Sequence, residues 1–163
     1  MFLDYQDYLI SFGGYSNGRA TSSVEMISIG PDNNPICHIP NLPEPVYGHS
    51  TIKTQIGVIT CGGYGDKWYK GRGKCYRLAS NNEWAKFPTM TQKRYYFSMQ
   101  EGNNKLFAIG GGSTERSMEW IDLLQGTNWT KEDLPFRIWG YCMIKLNDSH
   151  ILLTGGWLDG TVS

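Results

Sequence analysis

Three histidines, four cysteines and one stretch dense in cations and aromatic rings are the parts of this sequence that could do more than pack. Imidazoles ligate transition metals, but no two of His38, His49 and His150 share a ligand-like spacing. Neither a Ser/His/Asp set nor a pair of carboxylates stands out, so no catalytic residue, no metal site and no cofactor is expected. The dense stretch runs from Tyr64 to Lys74 and holds Lys67, Trp68, Tyr69, Lys70 and Arg72. Trp, Tyr and Arg dominate the energetics of protein interfaces, and binding residues concentrate on loops carried by a rigid scaffold. The chemistry on offer is recognition, and an acidic or phosphorylated peptide segment would suit it.

The elements that must position these residues form a repeat. Apolar residues run into a double glycine four times, ending at Gly13-Gly14, Gly62-Gly63, Gly110-Gly111 and Gly155-Gly156, with first glycines 49, 48 and 45 residues apart. A second apolar run follows the first three pairs, at Val24 to Ile29, Cys75 to Leu78 and Met118 to Leu123. Trp84 and Trp129 each stand 26 residues before the next pair, with Cys37 near the equivalent place in the first repeat. Proline turns come next, at Pro43, Pro88 and Pro135, and then His49, Phe97 and Tyr141 recur at one landmark. Four short strands per period follow, a to d, the glycine pair ending strand b and the Trp lying on strand d. The chain is read as one domain over 1–163, with repeats at approximately 1–49, 50–97, 98–141 and 142–163, the last partial.

This pattern resembles the kelch repeat, whose blades carry apolar residues before Gly-Gly, an apolar strand, a Trp, a Met-Pro or Leu-Pro turn and a basic residue. The sequence departs from it at Cys37, where a Trp is usual, and at Val46 and Ile138, where only Arg94 keeps the turn arginine. The resemblance implies an all-β fold, a partial kelch-type β-propeller of about three four-stranded antiparallel blades with the ring not closed. Glycine pairs at strand ends permit close backbone approach near the central channel, and the two tryptophans would cement neighbouring blades. Kelch-like propellers also include copper oxidases resembling galactose oxidase, but His49 sits at a packing landmark and His150 in an a–b turn, which argues against a copper site.

Composition agrees with many short strands joined by tight turns: Gly reaches 20 residues and only 18% of the chain is charged. Lys+Arg and Asp+Glu both number 15, so no electrostatic footprint for nucleic acid or an anionic membrane is present. No apolar run approaches the roughly 18 residues of a membrane span, and the first residues lack the basic region of a secretory signal. Phe2 to Asp4 align with the tail of a strand a, and Trp157 to Ser163 stop just beyond a strand b. The chain is therefore expected to be a fragment whose missing blades come from a longer polypeptide or another copy.

Antiparallel connections alternate in face, so the b–c and d–a loops share one rim. That rim is expected to gather Tyr15, Asn17, Arg19, Tyr47, Arg94, Tyr95, Glu115, Arg116, Arg137 and Trp139 beside the Tyr64 to Lys74 loop. Cys61, ending strand b, faces Cys75, opening strand c, across a hairpin, so the two form either a disulfide or two buried free thiols. Asn128-Trp-Thr130 and Asn147-Asp-Ser149 are N-glycosylation sequons. Together with the cysteines they are similar to secreted invertebrate kelch-repeat proteins, which favours an extracellular location slightly over a cytoplasmic one. The cytosolic ubiquitin-ligase adaptors and actin-associated kelch proteins stand against it. The function expected is a protein–protein interaction module binding a partner of unknown identity through the b–c and d–a loops. The alternatives are a secreted carbohydrate- or glycoprotein-binding propeller, with Trp68 and Tyr69 as contacts, and a galactose-oxidase-like enzyme fragment.

Overall fold

The computed structural model describes residues 2–4, 8–28, 39–65, 71–112, 116–147, 149–159 and 161–162. Sixteen strands and no helix occur among them, and no helix is long and apolar enough to cross a membrane. The first blade holds β1 (Phe2–Asp4), β2 (Tyr8–Ser16) and β3 (Arg19–Ser28) in that spatial order. The second is β4 (Ser50–Thr54), β5 (Gly57–Cys61), β6 (Cys75–Leu78) and β7 (Trp84–Phe87). The third is β8 (Ser98–Gly102), β9 (Lys105–Ile109), β10 (Ser117–Asp122) and β11 (Thr130–Asp133). A two-residue strand, β12 (Ile138–Trp139), precedes a hairpin of β13 (Cys142–Asn147) and β14 (His150–Thr154), then β15 (Trp157–Leu158) and β16 (Thr161–Val162). All pairings are antiparallel between chain neighbours, apart from β12, which pairs with β15. Among the described residues no strand of the first blade pairs with the last sheets, so the ring is open.

The register repeats with the sequence. The residue before each glycine pair faces the start of the second apolar run: Phe12↔Val24, Cys61↔Cys75 and Ile109↔Met118. Cys61 and Cys75 are joined by a disulfide, both nearly fully buried, which resolves the open choice between bridge and free thiols. In the second blade and beyond, strand b ends at the glycine pair as expected. The first blade differs: β2 runs through Gly13-Gly14 to Ser16, with a bulge between Phe12 and Gly14. The cause is its short connection. Asn17 and Gly18 both have positive φ, 50° and 78°, and make a two-residue turn whose twist suits a tight hairpin. Pairing therefore continues where the second blade diverges into a long loop.

The core lies in the seams between blades. Ile10, Phe12, Leu42 and Val46 fill the first, with Val58 and Trp84 packed against them from the second blade. Ile59, Cys61, Cys75, Met99, Leu106, Ala108 and Trp129 belong to the second, and Ile109, Ile138 and Tyr141 centre the third. Trp84, which opens β7, and Trp129, one residue before β11, are each tied to a turn of the preceding repeat. The Trp84 indole N–H donates to the Pro40 carbonyl at 3.0 Å, and that of Trp129 to the Pro88 carbonyl at 2.8 Å. Trp84 also meets Phe12 edge-on at 6.2 Å. The last hairpin has one uncovered face, on which Ile144 pairs with Leu152 and both are exposed. The corresponding pair in the second blade, Ile52 and Ile59, is packed in the second seam.

Truncating Trp129, 5% exposed, to alanine is expected to cost about 3–5 kcal/mol of stability. Trp84→Ala is expected to cost less, because that ring is only partly buried. Urea titrations of the two variants check the order, and equal costs would contradict the seam assignment.

Candidate functional site

The glycine pairs shape the rim before any side chain does. Gly62 and Gly63 have φ of +72° and +83°, and a Cβ on them would lie 2.6 Å from the Arg94 carbonyl oxygen and 2.7 Å from that of Tyr47. The pair is thus gripped between two successive d–a connections, the first glycine by the one that follows and the second by the one that precedes. Only glycine adopts these angles freely and leaves that space. The second glycine then donates its N–H across the gap: Gly14 to Val46 at 2.8 Å, Gly63 to Arg94 at 2.8 Å and Gly111 to Ile138 at 2.9 Å. The close approach anticipated near the central channel is therefore made to the d–a connection.

Locking these connections against the glycines places two further positions side by side. One is the residue after each pair: Tyr15, Tyr64, Gly112 and Trp157. The other is the residue after Val46, Arg94 and Ile138: Tyr47, Tyr95 and Trp139. Tyr47 and Tyr64 exchange backbone hydrogen bonds of 2.9 and 2.8 Å, and Trp139 pairs in the same way with Trp157. The rings follow the backbone. Tyr15 lies 4.9 Å from Tyr47, Tyr47 5.3 Å from Tyr64, Tyr64 4.2 Å from Tyr95 and Tyr95 5.8 Å from Tyr96. Trp139 and Trp157 stack at 6.0 Å, nearly parallel. Tyr15 and Tyr96 are exposed, at 62% and 46%. Burial and the Tyr95 hydroxyl push the Tyr64 phenol well above its ordinary pKa, so it stays neutral.

Tyr96 is distinctive in its backbone. It corresponds to Gly48 and Gly140, and all three have positive φ, 62°, 50° and 65° in chain order. They form a chain of hydrogen bonds from one repeat to the next, Tyr96 N–H to the Gly48 carbonyl at 2.8 Å and Gly140 N–H to the Tyr96 carbonyl at 2.9 Å. A bulky residue in the left-handed region carries strain, and such positions cluster at functional sites.

The cations are arranged differently from the sequence expectation. Lys67, Trp68, Tyr69, Lys70 and Glu115 lie outside the described residues. Arg94, expected on the rim, is fully buried, and this corrects its assignment as a binding residue. Its guanidinium donates to Glu119 at 3.1 Å, to the Gly110 carbonyl at 2.6 Å, and to the Ser117 carbonyl and hydroxyl at 2.9 and 2.8 Å. Glu119, also fully buried, accepts the Thr91 and Gln92 N–H groups at 2.6 and 3.0 Å. This is seam chemistry.

The preceding seam reverses the charges. Glu44, two residues before Val46 on its d–a connection, accepts from Arg72 at 2.7 Å, from the Tyr76 hydroxyl at 2.6 Å and from Lys74. Burial raises the Glu44 pKa, but the hydrogen bonds from Lys74 and Tyr76 and the nearby cations outweigh it and hold the carboxyl below its usual value. Burial and then Glu44 push the Tyr76 phenol up to about 12. Arg116 donates to Asp159 at 3.1 Å, and Asp159 also accepts the Arg137 backbone N–H at 3.1 Å. Arg19 is exposed at the start of β3. With Arg72, Arg94 and Arg116 answered by the chain's own carboxylates, the described rim is more aromatic than cationic.

The ring landmark packs under the glycine pairs. The Tyr141 hydroxyl donates to the Ile109 carbonyl at 2.5 Å, and Phe97 lies against Gly62. His49 lies against Gly13. Burial lowers its pKa to about 4, so it is neutral at pH 7. No group of three His, Cys, Asp or Glu that could hold a metal occurs among the described residues. Asn128 and Asn147 are exposed, and Cys142 is an exposed free thiol.

No family model matches the chain. Curated relatives do. The chain is 29% identical to Kelch-like protein 36 of Rattus norvegicus over 136 residues, covering 77% of this chain and 22% of that protein, with the same figures for the Mus musculus protein. Alpha-scruin of Limulus polyphemus is 25% identical over 160 residues, covering 89% of this chain and 17% of that protein. The fold is an incomplete kelch-type propeller. The chain spans about a fifth of the length of the relatives it matches.

Two outcomes follow. Arg94→Ala strands the Glu119 carboxylate and is expected to cost about 3–5 kcal/mol, whereas an Arg94→Met, Glu119→Leu double variant is expected to recover only part of that loss, because it removes the buried charge but takes their partners from the Thr91 and Gln92 N–H groups and the Gly110 and Ser117 carbonyls; denaturant melts of both check this. His49 has a folded pKa below its unfolded value of about 6.5, so the unfolded chain binds more protons. Stability is therefore expected to fall as the pH drops from about 6.5 towards about 4, and His49→Phe should flatten that part of the profile.

Proposed function

We propose that the propeller is a protein–protein interaction module whose partner contacts the b–c and d–a rim on the row of tyrosines from Tyr15 to Tyr96. The observation that carries this reading is the row itself: five phenol rings from four connections, the outermost exposed, on a backbone pinned by glycines. Tyrosine supplies large contact area at low cost in side-chain entropy and keeps a hydroxyl for hydrogen bonding. The matches to kelch-repeat proteins agree with a binding role and offer no reason to assign an enzyme activity. Because Arg72, Arg94 and Arg116 are already paired, aromatic contact is the main attraction, and an acidic or phosphorylated segment depends on Lys67, Lys70, Arg19 and Arg137. Blades beyond the four repeats, supplied by a longer chain or another copy, would cover Ile144 and Leu152.

A second reading is a secreted carbohydrate- or glycoprotein-binding propeller, favoured by the exposed parallel pair Trp139 and Trp157. Tryptophan fluorescence titrated with oligosaccharides tests it, and no response would remove it.

Tyr96→Gly separates binding from folding. Glycine fits the φ of 50° without strain, so stability should stay within about 1 kcal/mol of the parent. Partner retention should nevertheless drop at least tenfold in a Tyr15→Ala, Tyr96→Gly double variant, measured by quantitative affinity capture against the parent chain. Unchanged retention with an unchanged melt would refute the rim assignment.

A further inference from the structure

The turn between β13 and β14 carries the second sequon. Asn147 and Ser149 are both exposed there. The Asn147 side-chain oxygen accepts the Ser149 N–H at 2.9 Å and the Ser149 hydroxyl at 3.0 Å, with His150 Nδ1 at 3.1 Å. The oxygen thus holds the turn, and the carboxamide nitrogen is not the atom that holds it. The equivalent turns of the second and third blades touch each other, Gln55 donating to Glu101 at 3.2 Å and to Asn104 at 3.1 Å. The sequon turn has no such neighbour among the contacts described.

The first sequon is built differently. Asn128 is exposed, but its middle residue, Trp129, is driven into the second seam and its indole is bonded to Pro88. Folding therefore anchors the middle of the first sequon in the seam, against an enzyme that must seize an extended acceptor, while Asn147 and Ser149 both remain at the surface. A second, independent feature points to the compartment in which such enzymes act. The Cys61–Cys75 disulfide is buried in a core seam, and stable structural disulfides are acquired in the oxidising secretory route.

We propose that Asn147 is an N-glycosylation site and that it is occupied in preference to Asn128. The Asn147 side-chain nitrogen forms a bond to the anomeric carbon of a polyprenyl-diphosphate-linked oligosaccharide. The bond from that carbon to the diphosphate oxygen breaks, and the proton lost from the amide leaves with the polyprenyl diphosphate. The glycan projects from an a–b turn, on the rim opposite the tyrosine row, so it leaves that row open. This inference does not rest on the binding reading.

The test is expression of the chain behind a secretion signal in a eukaryotic host, with glycopeptide mass spectrometry on secreted and cell-retained material together. Asn147 should be modified in most molecules and Asn128 in a smaller fraction, and peptide-N-glycosidase should convert the modified Asn147 to aspartate. Asn147→Gln and, separately, Ser149→Ala, which keeps the asparagine but removes the acceptor hydroxyl, should each abolish the modification at 147. An unmodified Asn147, or one occupied less than Asn128, overturns the proposal.

Discussion

A backbone running within hydrogen-bonding distance of another backbone, with no room for a single carbon between them, is the constraint on which the rest of this propeller depends. The d–a connection passes so near to Gly62 and Gly63 that a Cβ on either would collide with a carbonyl oxygen. Because the same contact recurs at Gly13 and at Gly110-Gly111, each connection is held at fixed height and orientation relative to its blades. The rim tyrosines inherit their positions from that grip. They come from segments with few strand pairings of their own, yet adjacent rings sit 4.2 to 5.8 Å apart.

The seams combine two kinds of interaction with different consequences. Apolar filling by Phe12, Ile59, Leu106, Trp129 and their neighbours supplies most of the free energy. The buried polar groups add little net stability for the cost of their desolvation, but they penalise a wrong neighbour heavily. Arg94 spends its described bonds on Glu119, Ser117 and the Gly110 carbonyl, which ties the second d–a connection to the third blade. Glu44 does the same for the first connection and the second blade through Arg72, Lys74 and Tyr76.

Much of this was legible in the sequence because a long period leaves many coincident landmarks. Double glycines, tryptophans and the His49/Phe97/Tyr141 landmark fixed the blade strands, and the hairpin register brought Cys61 opposite Cys75. What escaped notice were relations between repeats. Arg94 reads as a surface cation until its buried partner Glu119 is seen, and nothing local to either residue announces the other across 25 positions. Tyr64 and Tyr47 stand far apart in the sequence, although aligning the repeats puts an aromatic residue after three of the four glycine pairs and at all three d–a positions. Tyr96 required backbone angles to be recognised as a tyrosine in a glycine's place. The strand b of the first blade outran its glycines because a two-residue turn, not the glycine pair, ended the pairing.

The opposite polarity of the two ionic seams has a consequence for how such an array can evolve or misfold. Suppose one whole repeat were lost, so that the connection bearing Glu44 docked on the sheet bearing Glu119. Two carboxylates would then confront each other in a space that excludes water, and Arg94, which neutralises Glu119, would have gone with the deleted segment. A slip by one repeat is thus blocked by like-charge repulsion as well as by shape, and each sheet recognises its proper predecessor much as a key with an inverted cut refuses the adjoining lock.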